Sequence, residues 1–192
     1  MNNKTKTVVG VGLLTALVIV LQALAIGIRF GAFSITLVLV PIIVGAALYG
    51  YLAGAWLGFV FGVIVVLTDA GVFLAVNIPG TIITCILKGT CAGLIAGFLY
   101  KKLEDKNAIL AVIVAAVAAP IVNTGLFLIG CRLFFLDTIK AWADAAGFSS
   151  AIGFMLFGLV GINFIVELII NLVLSMAIVR IVQIGKRMSL EK

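Results

Sequence analysis

From Ser34 to Thr68 the chain reads SITLVLVPIIVGAALYG and then YLAGAWLGFVFGVIVVLT, without one formal charge. In its second half glycine recurs every fourth residue, at Gly50, Gly54, Gly58 and Gly62. At helical pitch that spacing lays the glycines along one slowly drifting stripe, where another backbone can approach closely. Leu48-Tyr49-Gly50-Tyr51 in the middle is the natural turn, so the stretch is expected to fold as a helical hairpin within lipid. Packing of this kind occurs in any polytopic membrane protein, and the ladder alone specifies no function.

Composition makes lipid the solvent. Of 192 residues, 65% are hydrophobic and only 10% charged, and the mean hydropathy is +1.39. One soluble core cannot hide that much apolar surface. A transmembrane helix needs about 20 apolar residues, so the chain has room for six spans and no separate soluble domain. Period-2 alternation is absent, which argues against an outer-membrane barrel. The expectation is an all-α polytopic membrane protein, a single transmembrane domain over 1–192 with spans near 8–28, 35–49, 52–68, 79–100, 108–130 and 151–184.

The net charge of +6 is gathered beside the expected spans. With both termini on the cytoplasmic side, that side carries Lys4, Lys6, Lys101, Lys102, Lys106, Arg180, Lys186, Arg187 and Lys192, against Arg29, Arg132 and Lys140 outside. The positive-inside rule therefore places both termini in the cytoplasm and the 131–150 connection, which has the makings of a short interfacial helix, outside. No basic surface interleaved with aromatics is present to hold a nucleic acid.

Histidine is absent altogether, which removes histidine metal sites, Ser-His and Cys-His nucleophiles and histidine proton relays. Cys85, Cys91 and Cys131 form no C-x-x-C pair and no ligand set, so apolar filling is their expected role. No metal or cofactor is called for. Without a phosphate-binding G-x-x-x-x-G-K-[ST] sequence, any dependence on ATP must come from a partner.

Charge inside a bilayer costs at least about 2.5–3.5 kcal/mol on insertion scales, so every intramembrane charge needs a reason. Lys88 and Glu167 fall within the fourth and sixth spans. Asn163, Glu167, Asn171 and Ser175 are spaced by four and share one helix face, which must look into protein or a wet cavity. Two readings fit. In one, Lys88 and Glu167 pair and the asparagines bridge helices, so the polar groups of a structural or assembly protein only specify packing. In the other, Lys88, Asn123, Asn163 and Glu167 line a cavity in the outer half that binds a polar small molecule. Asn171 and Ser175 lie deeper and are assigned to helix contacts. Asp69, Asn77 and Arg132 stand at the mouth of such a cavity. On the first span, Gly12-x-x-x-Ala16 is either a packing face or a docking face for another membrane subunit. A second glycine ladder, Gly89, Gly93 and Gly97, marks the fourth span.

Several segments carry a family resemblance. Pro41-Ile42-Ile43-Val44-Gly45-Ala46, Leu48-Tyr49-Gly50-Tyr51-Leu52-Ala53-Gly54-Ala55 and Gly58-Phe59-Val60-Phe61-Gly62 resemble the second and third helices of energy-coupling-factor (ECF) transporter S components. Ala119-Pro120-Ile121-Val122-Asn123-Thr124-Gly125-Leu126-Phe127 resembles a segment of the family's fifth helix, and Glu167-Leu168-Ile169-Ile170-Asn171 one of its sixth. The resemblance implies a multi-pass protein of a bacterial cell membrane that captures a vitamin or related micronutrient from outside. It also implies partners, a transmembrane coupling subunit and two ATPase subunits, with Gly12 and Ala16 facing the coupling subunit. The segments around Asn123 look most like the pantothenate-type group. Lys88 and the asparagines suit an anionic, hydroxylated ligand, and few aromatics are expected near it.

Overall fold

The computed structural model describes residues 3–25, 29–30, 33–34 and 37–190. The expected end of the first span at 26–28 and start of the second at 35–36 lie outside the described residues. Long helices α1 (Asn3–Ala25), α3 (Tyr51–Thr68), α5 (Ile78–Leu103), α6 (Ala108–Phe134) and α9 (Gly161–Leu190) form the bundle, with the shorter α2 (Leu39–Tyr49) inside it. Two-residue strands β1 (Arg29–Phe30) and β2 (Phe33–Ser34) pair antiparallel between α1 and α2. Among the described residues, five segments are long and apolar enough to cross a membrane, the fifth running from Ala151 to Ser175, and α2 is the shorter apolar helix beside them. The protein is an all-α polytopic membrane protein.

Leu39, Ile42, Ile43 and Val44 of α2 are buried, as are Gly45, Ala46 and Ala47. At 1.5 Å per residue α2 is only about 16 Å long, so it serves as the bundle's apolar centre. Gly50 makes the turn into α3 with φ 93° and ψ 167°. A Cβ there would meet nothing within 4 Å, so Gly50 is needed for its left-handed backbone and takes no part in the packing stripe expected of it.

The rest of the stripe packs backbone against backbone. A Cβ on Gly54 would strike the Gly93 carbonyl, one on Gly58 the Gly89 carbonyl, and one on Gly62 the Cys85 carbonyl. The converse contacts hold for Gly89 and Gly93. The two glycine ladders are thus the two sides of one antiparallel α3–α5 seam. Neighbouring pairs continue the up-and-down order: Gly10 lies against Tyr49 and Gly45 against Leu14, while Gly80 meets Phe134 and Gly130 meets Thr84.

Beyond α3, the short α4 (Gly71–Leu74) precedes α5, whose start is capped by Asn77 accepting from Gly80 N at 2.9 Å. Helix α6 continues through Pro120 to Phe134. The amphipathic α7 (Leu136–Ala145) then buries Ile139 and Ala143 and exposes an Asp137–Lys140 ion pair of 3.1 Å. The last crossing is not the single helix expected from 151 to 184. It comprises α8 (Ala151–Gly153), a π-helical segment (Phe154–Val160) and α9, joined at Gly161 with φ 29°. Glycine permits that positive φ, which an L side chain rarely adopts.

Candidate functional site

Five helices (α1, α3, α5, α6 and α9) and the π segment surround a polar cavity near the end of the bundle away from the chain termini. About 570 Å³ of empty space, including its open mouth, is lined by Gln22, Asp69, Lys88, Asn123, Asn163 and Glu167 among its polar groups. Phe61, Val65, Phe127, Leu159, Val160 and Phe164 supply the apolar walls. Residues distant in sequence meet here because their helices run antiparallel. Lys88 lies about 15 Å along α5 from Ile78, and Asn123 about 16 Å back from the end of α6. These depths coincide.

All four expected ligand residues, Lys88, Asn123, Asn163 and Glu167, therefore face a common space, with Asp69 at the end of α3 beside them. Asn77 and Arg132 are not among its lining. Asn77 is occupied as the α5 cap, and Arg132 sits exposed on the last turn of α6, which extends past the expected loop boundary. Asn171 and Ser175 continue the α9 face below the cavity, bonding back to their own helix. Asn171 Nδ2 donates to Glu167 O at 2.8 Å and Ser175 Oγ to Leu172 O at 2.6 Å.

The Lys88 ammonium lies 5.7 Å from the Phe61 ring centroid and 5.4 Å from that of Phe127. Ring quadrupoles attract a cation, by about 2 kcal/mol or more when the pair is desolvated. Phe127 is in turn met edge-on by Phe73 at 5.7 Å, and Phe73 contacts Phe135 and Trp142 at 5.0 and 5.6 Å. An aromatic cluster built from α4, α6 and α7 thus buttresses one of the two rings at Lys88. The expectation of few aromatics is corrected here: three phenylalanines line the cavity.

Gln22 was not anticipated. It is 1% exposed, three residues before the end of α1, and its Oε1 has no hydrogen-bond partner among the described residues. The same holds for Oδ1 of Asn123, which is 7% exposed. Leaving a buried polar atom unbonded costs about 1–3 kcal/mol, and both amides belong to the cavity lining. One signal was available: Gln22 is an amide in an otherwise apolar span, and the cost of intramembrane polarity applies to amides as well as charges. The phenylalanines had none, because aromatic residues in membrane helices are ordinary.

Chemically, the site offers one cation, two carboxylates and three amides around an apolar wall, with no nucleophile set beside a base. Such a set can bind and orient a polar solute. The class defined by fold and site is a membrane-embedded small-molecule-binding protein. The model of the family "ECF transporter, substrate-specific component" matches residues 6–179, and the chain belongs to that family. It is a substrate-specific membrane subunit of an ECF importer, a transporter component and not an enzyme. Comparison with curated proteins and with solved structures found no match.

Proposed function

We propose that this subunit captures a vitamin-type small molecule from outside a bacterial cell and holds it in the cavity around Lys88. The supporting observation is the convergence of Lys88, Gln22, Asn123, Asn163 and Glu167 on one space in which two buried amide oxygens await a partner. A carboxylate would meet the Lys88 ammonium, and hydroxyl or amide groups would satisfy Gln22, Asn123 and Asn163. Glu167 and Asp69 would accept from N–H or O–H groups of the same guest. A hydroxylated carboxylate of the pantothenate type presents these groups together.

The charge distribution supports cytoplasmic termini, which opens the cavity outward. Energy then comes from a transmembrane coupling subunit and two ATPase subunits. The docking surface is the face of α1 carrying Gly12 and Ala16. Both are exposed, while Thr15 on the neighbouring face accepts a hydrogen bond from Trp56 Nε1 of α3 at 3.2 Å.

Mass spectrometry of small molecules released from the purified, detergent-solubilised protein tests the reading. A stoichiometric pantothenate-like carboxylate, absent from a Lys88→Met/Asn163→Ala variant that still folds, is the expected result. An empty protein whose melting temperature no vitamin raises would instead favour polar residues that only specify packing.

A further inference from the structure

A second, apolar groove lies directly behind the polar cavity, on the outer surface of the bundle between α6 and the π–α9 junction. It encloses about 1060 Å³ of empty space including its opening. Ile121, Gly125 and Leu128 form one wall, and Phe157, Ile162 and Ile165 the other. Glycine makes the room: a Cβ at Gly125 or at Gly161 would meet nothing within 4 Å. The rim is open to the bundle's surroundings, with Ile121 50%, Phe157 77% and Ile162 71% exposed. Thr124, Val160 and Phe164 line both this groove and the polar cavity, so the two are separated by one layer of side chains.

We infer that this groove is a binding site for one acyl chain of a membrane lipid. Its two walls belong to membrane-crossing segments, so what lies against it is the bilayer. Gly125 stands about 14 Å from the α6 terminus at Phe134, well inside a hydrocarbon core about 30 Å thick. Thr124 is the one polar side chain of the lining. A water cluster would find too few partners there, and an extended peptide would leave its backbone groups unbonded. A hydrocarbon chain has neither requirement, and it recovers the dispersion contacts that an unfilled slot forfeits. Seated there, the chain backs the wall formed by Thr124, Val160 and Phe164. The inference is independent of which solute occupies the polar cavity.

The test is native mass spectrometry of the full chain in detergent, titrated with dioleoylphosphatidylglycerol. The wild type is expected to retain one lipid in a saturable step. Gly125→Leu places a side chain in the slot and is expected to weaken that step about tenfold with an unchanged melting temperature. Phe157→Ala removes one exposed wall and serves as a second variant that does not depend on the first folding. Dihexanoylphosphatidylglycerol, with the same headgroup and short chains, should leave no retained adduct. Equal retention in wild type and both variants, or equal binding of the short-chain lipid, would overturn the inference.

Discussion

Helix α5 turns two unlike faces to its neighbours, and they begin at adjacent residues. Gly89 presses on the backbone of Gly58 in the α3–α5 seam, while Lys88 reaches into the polar cavity. Along the seam, glycine lets main chains touch, so the packing has little slack. The α6–α9 side is built the opposite way. Its Gly125 and Gly161 have no neighbour at the Cβ position, its facing residues include Asn123, Asn163 and Glu167, and its last crossing is broken into a π segment and a helix. Without a hydrophobic effect between helices in lipid, association rests on contact density and hydrogen bonding. One side of the bundle is fixed by contact, and the other keeps space and, at Asn123, an amide oxygen with no partner among the described residues.

The sharpest way to break this contrast is to put the same side chain on both sides. Gly58→Leu would drive a side chain into the Gly89 carbonyl and the Thr90 backbone. Because main chain cannot step aside cheaply, a loss of about 3 kcal/mol or more is expected, seen as aggregation or a collapsed unfolding midpoint in detergent. Gly125→Leu enters open space, and a stability change within about 0.5 kcal/mol is expected. Similar losses from the two would mean that the sides do not differ as described.

Ligand binding is expected to follow the opposite ranking. Lys88→Met leaves the seam intact and removes the cavity's cation, so affinity for the proposed pantothenate-type ligand, measured by titration calorimetry, should fall about 100-fold, the scale of a charge-assisted hydrogen bond. Phe127→Leu keeps the cation but removes one of its two rings, and a loss of about threefold to tenfold is expected. Phe127→Tyr, which keeps the ring, should bind nearly as the wild type does. An unchanged affinity in Phe127→Leu would show that Lys88 is oriented without it.

How much of this was legible in the sequence follows the same division. Lys88, Glu167 and Asn163 announced themselves because polarity in a membrane span is costly, and their depth could be counted from the span ends. Glycine periodicity revealed a packing stripe, but not that its partner was the second ladder on Gly89 and Gly93, since periodicity names a face and not what lies opposite. Gly50 fitted the period by coincidence, while its position in the turn demanded glycine for a different reason. The π segment and the break at Gly161 left no trace in hydropathy, because a change of helix type alters backbone hydrogen bonding and not composition. Arg132 was read as a mouth residue because the fifth span was ended at 130, four residues before the helix stops, and it stands exposed on the last turn; Asn77 was rightly placed just before the fourth span, where its side chain caps the helix.

The smallest expected effect on the chain itself concerns a third surface, the α1 face. Gly12 has open space at its Cβ position and is exposed, as is Ala16. Gly12→Leu/Ala16→Leu should therefore leave the melting temperature of the isolated subunit, and its binding of the proposed ligand, essentially unchanged, within about 0.5 kcal/mol. Two added side chains would still prevent another helix from approaching closely. Co-purification with the coupling subunit and its ATPases is expected to be lost while the isolated subunit stays intact, unlike Gly58→Leu, which removes both. If the double variant still assembles, the partner meets another face, and the exposed small residues of α1 face only lipid.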